Sequence, residues 1–287
     1  GLTLYFERER RPPSAAFSCY LCYMLGLGNS LNRGGSGSSL LLDAHGGASG
    51  AFSTRRLSSS YSGYCVKVRN DSDALSDIGF SGAGIDSESL EAHCGTGDGF
   101  VHTWYDQSGS DNHATTDEDA DQPRIVNSGT YDGGIVFDHN DRQFTFYDLD
   151  GDQTLFFVIN TSDTKAVLFD ATATGGQYLL AWESGSGTTN IHSAGVGTPS
   201  YYIDGAAQSW STWDNVHDAI TGGQKLLTIA DIDITSTSNN WTPMYVGNYN
   251  TFMLNPATVN ELIIYGSVLD SVDQSGVEGN IMAGHGL

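Results

Sequence analysis

The chain has 287 residues, enough for one large β domain or two small ones with a core that needs no disulfide staples. Its formal net charge is −22, and residues 71–287 carry 31 Asp or Glu residues against four Lys or Arg residues. Such an acidic body repels phosphate backbones, which excludes nucleic-acid binding. No apolar run of about 18 residues is present, so we expect no membrane span.

Residues 1–39 differ from the rest of the chain. They hold four of the arginines (Arg8, Arg10, Arg11 and Arg33). Residues 17–25 are too apolar to sit comfortably in water, and the Gly- and Ser-rich stretch 32–39 has the composition of a flexible linker. We predict that residues 1–31 are an arm that docks on a neighbouring protein and that 40–287 form the main domain. The alternative for the arm is a disordered tail.

From residue 40 onward the pattern is one of short alternating strands bounded by Gly, Asn, Asp and Ser, with many aromatic residues and few charges. This predicts an all-β, two-layer sandwich. The run 226–230 is continuously apolar and predicts a strand buried on both faces. The predicted strands are 64–69, 99–105, 134–138, 144–147, 153–160, 166–170, 178–183, 201–203, 225–232, 244–247 and 259–265.

Only two segments carry helix signals, so we expect one or two short helices. Residues 86–93 begin with an Asp cap and have acidic residues in the first turn. Residues 271–283 place Val272, Val277 and Ile281 along one side and end before Gly284.

Two segments carry a dense set of motif residues. The first contains Ser53, Thr54, Arg55, Leu57, Ser59, Tyr61, Ser62, Gly63, Val68 and Arg69, and the second Tyr105, Asp106, Gln107, Ser108, Gly109, Asn112 and His113. Together they resemble the catalytic domain of fungal α-L-arabinofuranosidase B, which has many relatives among bacteriophage particle proteins of unknown role. The resemblance covers roughly residue 41 to the end of the chain. It implies a concanavalin A-like, two-sheet jelly-roll sandwich.

The motif from Tyr105 to Gly109 lies where a predicted strand ends. Asp and Ser side chains there can accept backbone N–H groups and fix the turn, and Gly109 can supply a positive φ. We therefore interpret it as structural, together with Arg55, Arg69 and Asn112. His113 matches the family pattern and is interpreted in the same way.

The resemblance also shows what chemistry is missing. Retaining glycosidases need two carboxyl groups at the scissile bond. The position that matches the family nucleophile is Gly175, and the loop matching its acid/base, 246–251, has no carboxylate. We therefore expect no glycosidase activity. The alternative is an arabinofuranosidase-like hydrolase of surface polysaccharide that uses Glu183 or Asp204 instead.

The family's disulfides are also absent. The position that pairs with Cys94 in the secreted enzymes is Gly99 here, and the family's adjacent cysteine pair is replaced by Val167 and Leu168. Loss of these disulfides suits assembly in a reducing cytoplasm.

Aromatic and amide side chains near predicted strand ends are candidates for binding glycans, because they stack on sugar faces and bond hydroxyl groups. The candidates are Trp182, Glu183, Trp241, Tyr249 and Asn250, with Trp210 and Trp213 of the same type; the alternative for each tryptophan is core packing. We predict no cofactor and no metal site. Two acidic clusters, 117–121 and 148–152, are weak calcium candidates because neither offers a complete ligand loop.

These observations predict a non-catalytic bacteriophage virion protein, a head decoration, fibre or tail-spike component on the particle exterior. The arm 1–31 would bind other virion proteins and the sandwich would face outward, where it could meet host-surface glycans. A homo-oligomer is expected by analogy with spikes and fibres. The alternatives are the hydrolase and a pure scaffold without any ligand.

Overall fold

The computed structural model describes residues 39–138, 142–146, 149–171, 178–192, 196–233, 241–242 and 256–287. Leu40–Leu287 form one compact unit. The predicted arm and nearly all of the linker lie outside the described residues and stay predictions. None of the helices in the described part has the length and apolar character that crossing a membrane requires.

The described strands are β1 (Gly50–Ser53), β2 (Val66–Asn70), β3 (Leu75–Ile78), β4 (Phe80–Ser81), β5 (Gly84–Ile85), β6 (Gly99–Trp104), β7 (Ala114–Thr115), β8 (Arg124–Asn127), β9 (Thr130–Phe137), β10 (Asp152–Thr161), β11 (Lys165–Ala171), β12 (Tyr178–Glu183), β13 (Gly197–Ile203), β14 (Ala206–Gln208), β15 (Gly223–Asp233), β16 (Trp241–Thr242) and β17 (Ala257–Tyr265). The described α-helices are α1 (Leu41–Ala44), α2 (Ser87–Cys94), α3 (Trp213–Ile220) and α4 (Ser271–His285), and Asp119–Asp121 form a 3-10 turn.

Most strands belong to one large antiparallel sheet. Its order is β14-β13-β15-β10-β17-β9-β8-β6-β2-β3, with β1 paired to β17 and β7 paired to β6 beside this path. A smaller sheet has the order β12-β11-β16, and β4 and β5 pair with each other. Both larger sheets contribute to one apolar core, which contains Trp104 of β6 and Trp182 of β12. The predicted all-β sandwich is therefore confirmed.

The central strands of the large sheet are covered on both faces. Phe157 of β10 lies in the main core, whereas its neighbour Phe156 packs in a second cluster with Val277 of α4. In β15, Leu227 belongs to the main core and Leu226 to the second cluster. The prediction of a strand buried on both faces is confirmed, because α4 packs on the face of the sheet that is turned away from the main core.

The other predicted elements are mostly confirmed, with three differences. The strand predicted at 144–147 is wrong in its described residues, where Thr145 makes only a single bridge to Thr115. The strand predicted at 244–247 lies outside the described residues. The expectation of one or two helices was too low, because four α-helices occur in the described part. Helix α1 has only four residues, too few to show a helical period, and α3 is a short helix that begins at a Thr cap.

Candidate functional site

The turn after β6 is built around the carboxylate of Asp106, which is buried. Its Oδ1 accepts the backbone N–H groups of Ala51 and Ser108, both at 2.8 Å. Its Oδ2 accepts the Ser108 hydroxyl at 2.7 Å and the backbone N–H of Asn112 at 3.1 Å. Gly109 has a φ of +90°, which favours glycine. All of these bonds are internal, and they leave Asp106 without access to a ligand.

Gln107 joins the same turn to the chain that follows β1. Its Oε1 accepts the backbone N–H of Leu57 at 2.8 Å. Its Nε2 donates to the carbonyl oxygens of Ser53 at 3.2 Å and Arg55 at 3.0 Å. Because β1 pairs with β17 while Gln107 follows β6, this amide ties distant strands of the large sheet together.

Tyr105 and Asn112 complete the turn. The Tyr105 hydroxyl donates to Asp77 at 2.6 Å, and its ring meets the ring of His113 edge-on at 4.9 Å. Burial, and then the bond to Asp77, raises the pKa of the Tyr105 hydroxyl. Asn112 Nδ2 donates to the carbonyl of Ser49 at 2.8 Å. Here too the motif residues bond within the protein.

Arg55 forms an interior ion pair that the sequence analysis did not predict. Its guanidinium binds both oxygens of Glu261 in β17, at 2.7 and 2.9 Å. Glu261 Oε2 also accepts the Ser53 hydroxyl at 2.7 Å and lies 3.0 Å from His285 Nε2. Arg55 reaches Asn280 of α4 as well, at 3.3 Å. The missed signal is Glu261 itself, since a charge within an apolar strand must have a partner when it is buried.

Burial alone would raise the pKa of Glu261, which is fully buried. The charge of Arg55 and the hydrogen bonds from His285 and Arg55 outweigh burial and lower that pKa to about 2. Glu261 is therefore held ionised, as a structural anion that fixes α4 to the sheet. It is not poised to donate a proton.

Arg69 belongs to β2 of the same sheet, and its side chain is mostly buried. Its Nε donates to Gln122 at 2.8 Å, and its Nη1 pairs with Asp73 at 2.9 Å. Its guanidinium carbon lies 5.1 Å from the centre of the Phe100 ring. The guanidinium is held by neighbouring side chains, which accounts for this motif position without a ligand.

The candidate glycan residues of β12 do not form an open binding face. Trp182 is fully buried, and its Nε1 donates to the carbonyl of Asp163 at 3.1 Å. The interpretation of Trp182 as a sugar-stacking residue is therefore wrong, because its ring belongs to the core. Glu183 is partly exposed and pairs with Lys165 at 2.9 Å.

The other tryptophans of this type have similar internal roles. Trp213 is nearly buried, and its Nε1 donates to the carbonyl of Asn190 at 2.7 Å. Trp210 packs on Tyr201 with the ring centres 5.2 Å apart. Core packing, the alternative stated for each tryptophan, explains both.

Several predicted positions lie wholly or partly outside the described residues. Trp241 belongs to β16, whose backbone pairs with β11, but its side chain is not among those described. Tyr249, Asn250 and Gly175 lie outside the described residues. These candidates therefore stay predictions.

The structure also describes Cys94 and Gly99, the two positions that the resemblance pairs. Cys65 and Cys94 are buried, free thiols. A Cβ on Gly99 would lie 2.5 Å from Cys94 Sγ, so the two positions that the resemblance pairs are adjacent in space. Burial, and then the charges of Asp71 and Asp98, raises the pKa of the Cys94 thiol to about 11, so it stays protonated.

The sequence analysis did not predict one cluster of side chains of the types that bind metal ions. Asp214, His217 and Asp218 of α3 place their donor atoms within 4.8 Å of one another. Their i, i+3 and i+4 spacing would have revealed them had the helix been predicted. Asp214 already accepts the backbone N–H of Gly185 at 2.5 Å, and His217 Nδ1 lies 3.1 Å from Asp218. These internal contacts explain the group, and we assign no metal to it.

The acidic cluster 117–121, a weak calcium candidate, is partly neutralised. Asp119 pairs with Arg69 at 3.2 Å. Asp121 accepts a hydrogen bond from the Gln143 amide. The expectation of no metal site, with calcium here as a weak candidate, stays a prediction.

Two cavities flank the loop that follows α1, and both include Gly46 and Gly47. One measures about 320 Å³ and is lined in part by Tyr265 and Asp273. The other measures about 220 Å³ and is lined by residues of both motif segments. Its polar lining consists of Ser58, Ser60, Tyr61, Gln107 and Ser108.

The sequence matches no protein-family model and no curated protein. Among solved structures it is similar to an arabinofuranosidase complexed with arabinofuranosyl-alpha-1,2-xylobiose (16% identity, TM-score 0.46) and to a GH54 α-L-arabinofuranosidase soaked with a cyclic sulfate inhibitor (15% identity, TM-score 0.48). Each match covers 85% of this chain and 64% of that chain, slightly less than two thirds of its length. A sialidase of Trypanosoma rangeli matches 74% of this chain and 43% of its own, with 13% identity and a TM-score of 0.35.

Proposed function

We propose that this chain is a non-catalytic structural protein of a bacteriophage particle. In this proposal residues 40–287 form a body on the particle exterior, and residues 1–31 attach it to other virion proteins. The proposal that the protein is non-catalytic rests on what the motif residues do in the structure. Asp106, Gln107 and Arg55, the polar residues most typical of the resemblance, are engaged in bonds within the sandwich.

The positions of the missing carboxyl groups support the same proposal. Gly175 cannot act as a nucleophile, and residues 246–251 contain no acid. The two alternative carboxylates already have partners: Glu183 pairs with Lys165 at 2.9 Å and Asp204 with Lys225 at 3.3 Å. Each would have to leave its lysine to act on a sugar.

The charge distribution supports attachment through the arm. The body carries nearly all of the acidic residues, whereas the first 39 residues hold four arginines beside an apolar run. An acidic body favours solubility and mutual repulsion between copies. The basic and apolar arm differs from this body, and it offers a surface to which another protein can bind.

The attachment can be tested on particles that lack this protein. Purified full chain should bind them, whereas a chain of residues 40–287 should not. A full chain in which Arg8, Arg10 and Arg11 are changed to Ala should bind more weakly, with the body variant Lys67→Ala as the matched control. Equal binding of the full chain and of 40–287 would contradict attachment through the arm.

The hydrolase alternative has a separate test. The full chain is incubated with a broad panel of arabinose-containing and capsular polysaccharides, and released sugar is measured. We expect no release above the buffer control. Release that is abolished by Glu183→Gln or Asp204→Asn would establish the hydrolase instead.

A further inference from the structure

The cavity of about 320 Å³ lies between the loop that follows α1 and the start of α4. Its walls are the end of α1 with that loop, the end of β17 with the segment that follows it, and the first two turns of α4. This volume reaches the range of about 300–1,000 Å³ in which proteins enclose small ligands. The proposed function does not use this cavity.

Three polar side chains on the cavity wall are available to a ligand. His45, Ser267 and Asp273 line the cavity, and within the described part of the chain their ring, hydroxyl and carboxylate make no hydrogen bond or ion pair. Tyr265 lines it as well, and its hydroxyl donates to the carbonyl of His45 at 2.7 Å. The oxygen of that hydroxyl can still accept a hydrogen bond. The wall therefore offers several acceptors that the protein itself leaves open.

The ring of His45 is held against α4. A Cβ on Gly276 would lie 2.5 Å from His45 Cε1, so a glycine is needed for the ring to approach the helix this closely. Tyr265 is buried, and its bond to the His45 carbonyl fixes the backbone there. Walls that are positioned in advance reduce the entropy that is lost when a ligand binds.

The charges at the cavity favour a cation. Asp273 brings a carboxylate, and burial followed by the charge of Asp273 raises the pKa of the Tyr265 hydroxyl to about 12. An anion would compete for donors that are already used, because the N–H groups of Val272 and Asp273 both donate to Asp270 at 2.9 Å. The formal net charge of −22 also attracts cations to the chain as a whole.

The remaining wall is apolar. Ala44, Leu269 and Val277 line the cavity, and Val277 is buried. Val268 and Val272, which neighbour lining residues in the chain, are exposed. Such a surface suits a short hydrocarbon chain and offers no ligands to a hydrated metal ion.

We propose that this cavity binds a small primary amine as an alkylammonium ion. The ammonium group would donate hydrogen bonds to Asp273, Ser267 and a ring nitrogen of His45. The hydrocarbon chain would lie against Leu269 and Val277. Hydrogen bonds between charged groups are stronger than those between neutral groups, so Asp273 would contribute most to the affinity. This site does not depend on attachment to a particle.

The test titrates the full chain with n-pentylamine at neutral pH, and amide NMR spectra give the Kd. Methylamine has the same charge without the hydrocarbon chain and should bind at least about tenfold more weakly. 1-Pentanol and pentanoate have the chain without the positive charge, and they should also bind at least about tenfold more weakly.

Variants locate the site. Asp273→Asn should raise the Kd of n-pentylamine by about tenfold. Ala44→Leu narrows the cavity without changing its charge and should weaken binding as well. The matched control is Asp117→Asn, which removes the same charge from a side chain that is 93% exposed and lies outside this cavity. It should leave the Kd unchanged, and thermal unfolding of every variant checks that the fold is kept.

The outcomes separate a built site from general attraction to an acidic protein. Binding of n-pentylamine that Asp273→Asn weakens and Asp117→Asn does not would support the proposal. It is overturned if n-pentylamine does not bind, or if methylamine or pentanoate binds as tightly. Equal effects of Asp273→Asn and Asp117→Asn would overturn it too.

Discussion

Glu261 and Arg55 are 206 positions apart in the chain and meet as a two-pronged ion pair inside the protein, with Arg55 Nε 2.7 Å from Glu261 Oε2. The pair connects the chain beyond β1 to β17, and through Asn280 and His285 it reaches α4. The buried Glu261 carboxylate thus links the first strand and the last helix of the sandwich domain.

Removing Arg55 should destabilise the protein strongly. Arg55→Ala leaves the Glu261 carboxylate buried without its counter-charge, and we expect a loss of about 3–5 kcal/mol in the free energy of unfolding. Arg55→Lys should lose less of the free energy of unfolding than Arg55→Ala, because it keeps the positive charge. It should still be less stable than the wild type, because a lysine cannot form both hydrogen bonds. Denaturant unfolding measures the loss, with Lys67→Ala as the control, because Lys67 makes only a surface pair with Asp77 at 3.8 Å. A loss below about 1 kcal/mol for Arg55→Ala would contradict this role.

The same pair predicts how stability depends on pH. The pKa of Glu261 is lowered from its ordinary value of 4.5 to about 2, so the folded state favours the ionised carboxylate. Its contribution, on the order of 3 kcal/mol, is therefore complete above about pH 4.5 and is lost as the pH falls towards 2. The free-energy difference between the wild type and Glu261→Gln should shrink over this range. A difference that stays constant from pH 7 to pH 2.5 would show that Glu261 is not the titrating group.

Asp106 should matter for folding and not for catalysis. Asp106→Ala leaves the buried backbone N–H group of Ala51 and the partly buried N–H groups of Ser108 and Asn112 without their acceptor, and a buried donor without a partner costs about 1–3 kcal/mol. We therefore expect a loss of at least about 2 kcal/mol in the free energy of unfolding. Asp117→Ala is the control, because its side chain is 93% exposed. Equal stability of the two variants would disprove this role of the turn.

Gly99 should not tolerate a side chain. The Cβ of Gly99→Ala would lie 2.5 Å from Cys94 Sγ and 3.1 Å from Val126 Cβ, so the core must shift, at a cost of about 1–3 kcal/mol. Adding Cys94→Ala removes the sulfur and should restore part of the stability. Gly187→Ala is the matched control, because a Cβ there would meet nothing within 4 Å. Thermal unfolding compares the variants, and equal melting temperatures for Gly99→Ala and Gly187→Ala would contradict the prediction.

The elements that sequence patterns predicted are those with a long apolar run or a clear helix signal. The segment 153–160 contains the apolar run 155–159 and gave β10, and the apolar run 226–230 gave β15. The Asp cap gave α2, and the apolar residues along one side of 271–283 gave α4. Strand β1 was missed because its four residues, Gly50–Ser53, are too few to show a strand pattern.

The sites were harder to predict for a physical reason. Aromatic residue type does not reveal burial, so Trp182 was a candidate for glycan binding although its ring is fully buried. The partner of Arg55 lies 206 positions away, and only the β1–β17 pairing brings the two together. Motif residues, in contrast, could be interpreted as structural from the turn chemistry of Asp, Ser and Gly.

Electron cryomicroscopy of the intact particle tests the central claim most directly, because it can trace this chain in place. The proposed function predicts density for residues 40–287 on the particle exterior and for residues 1–31 in contact with another virion protein. Purified particles that contain no copy of the chain would contradict it, and so would copies held only through the sandwich body.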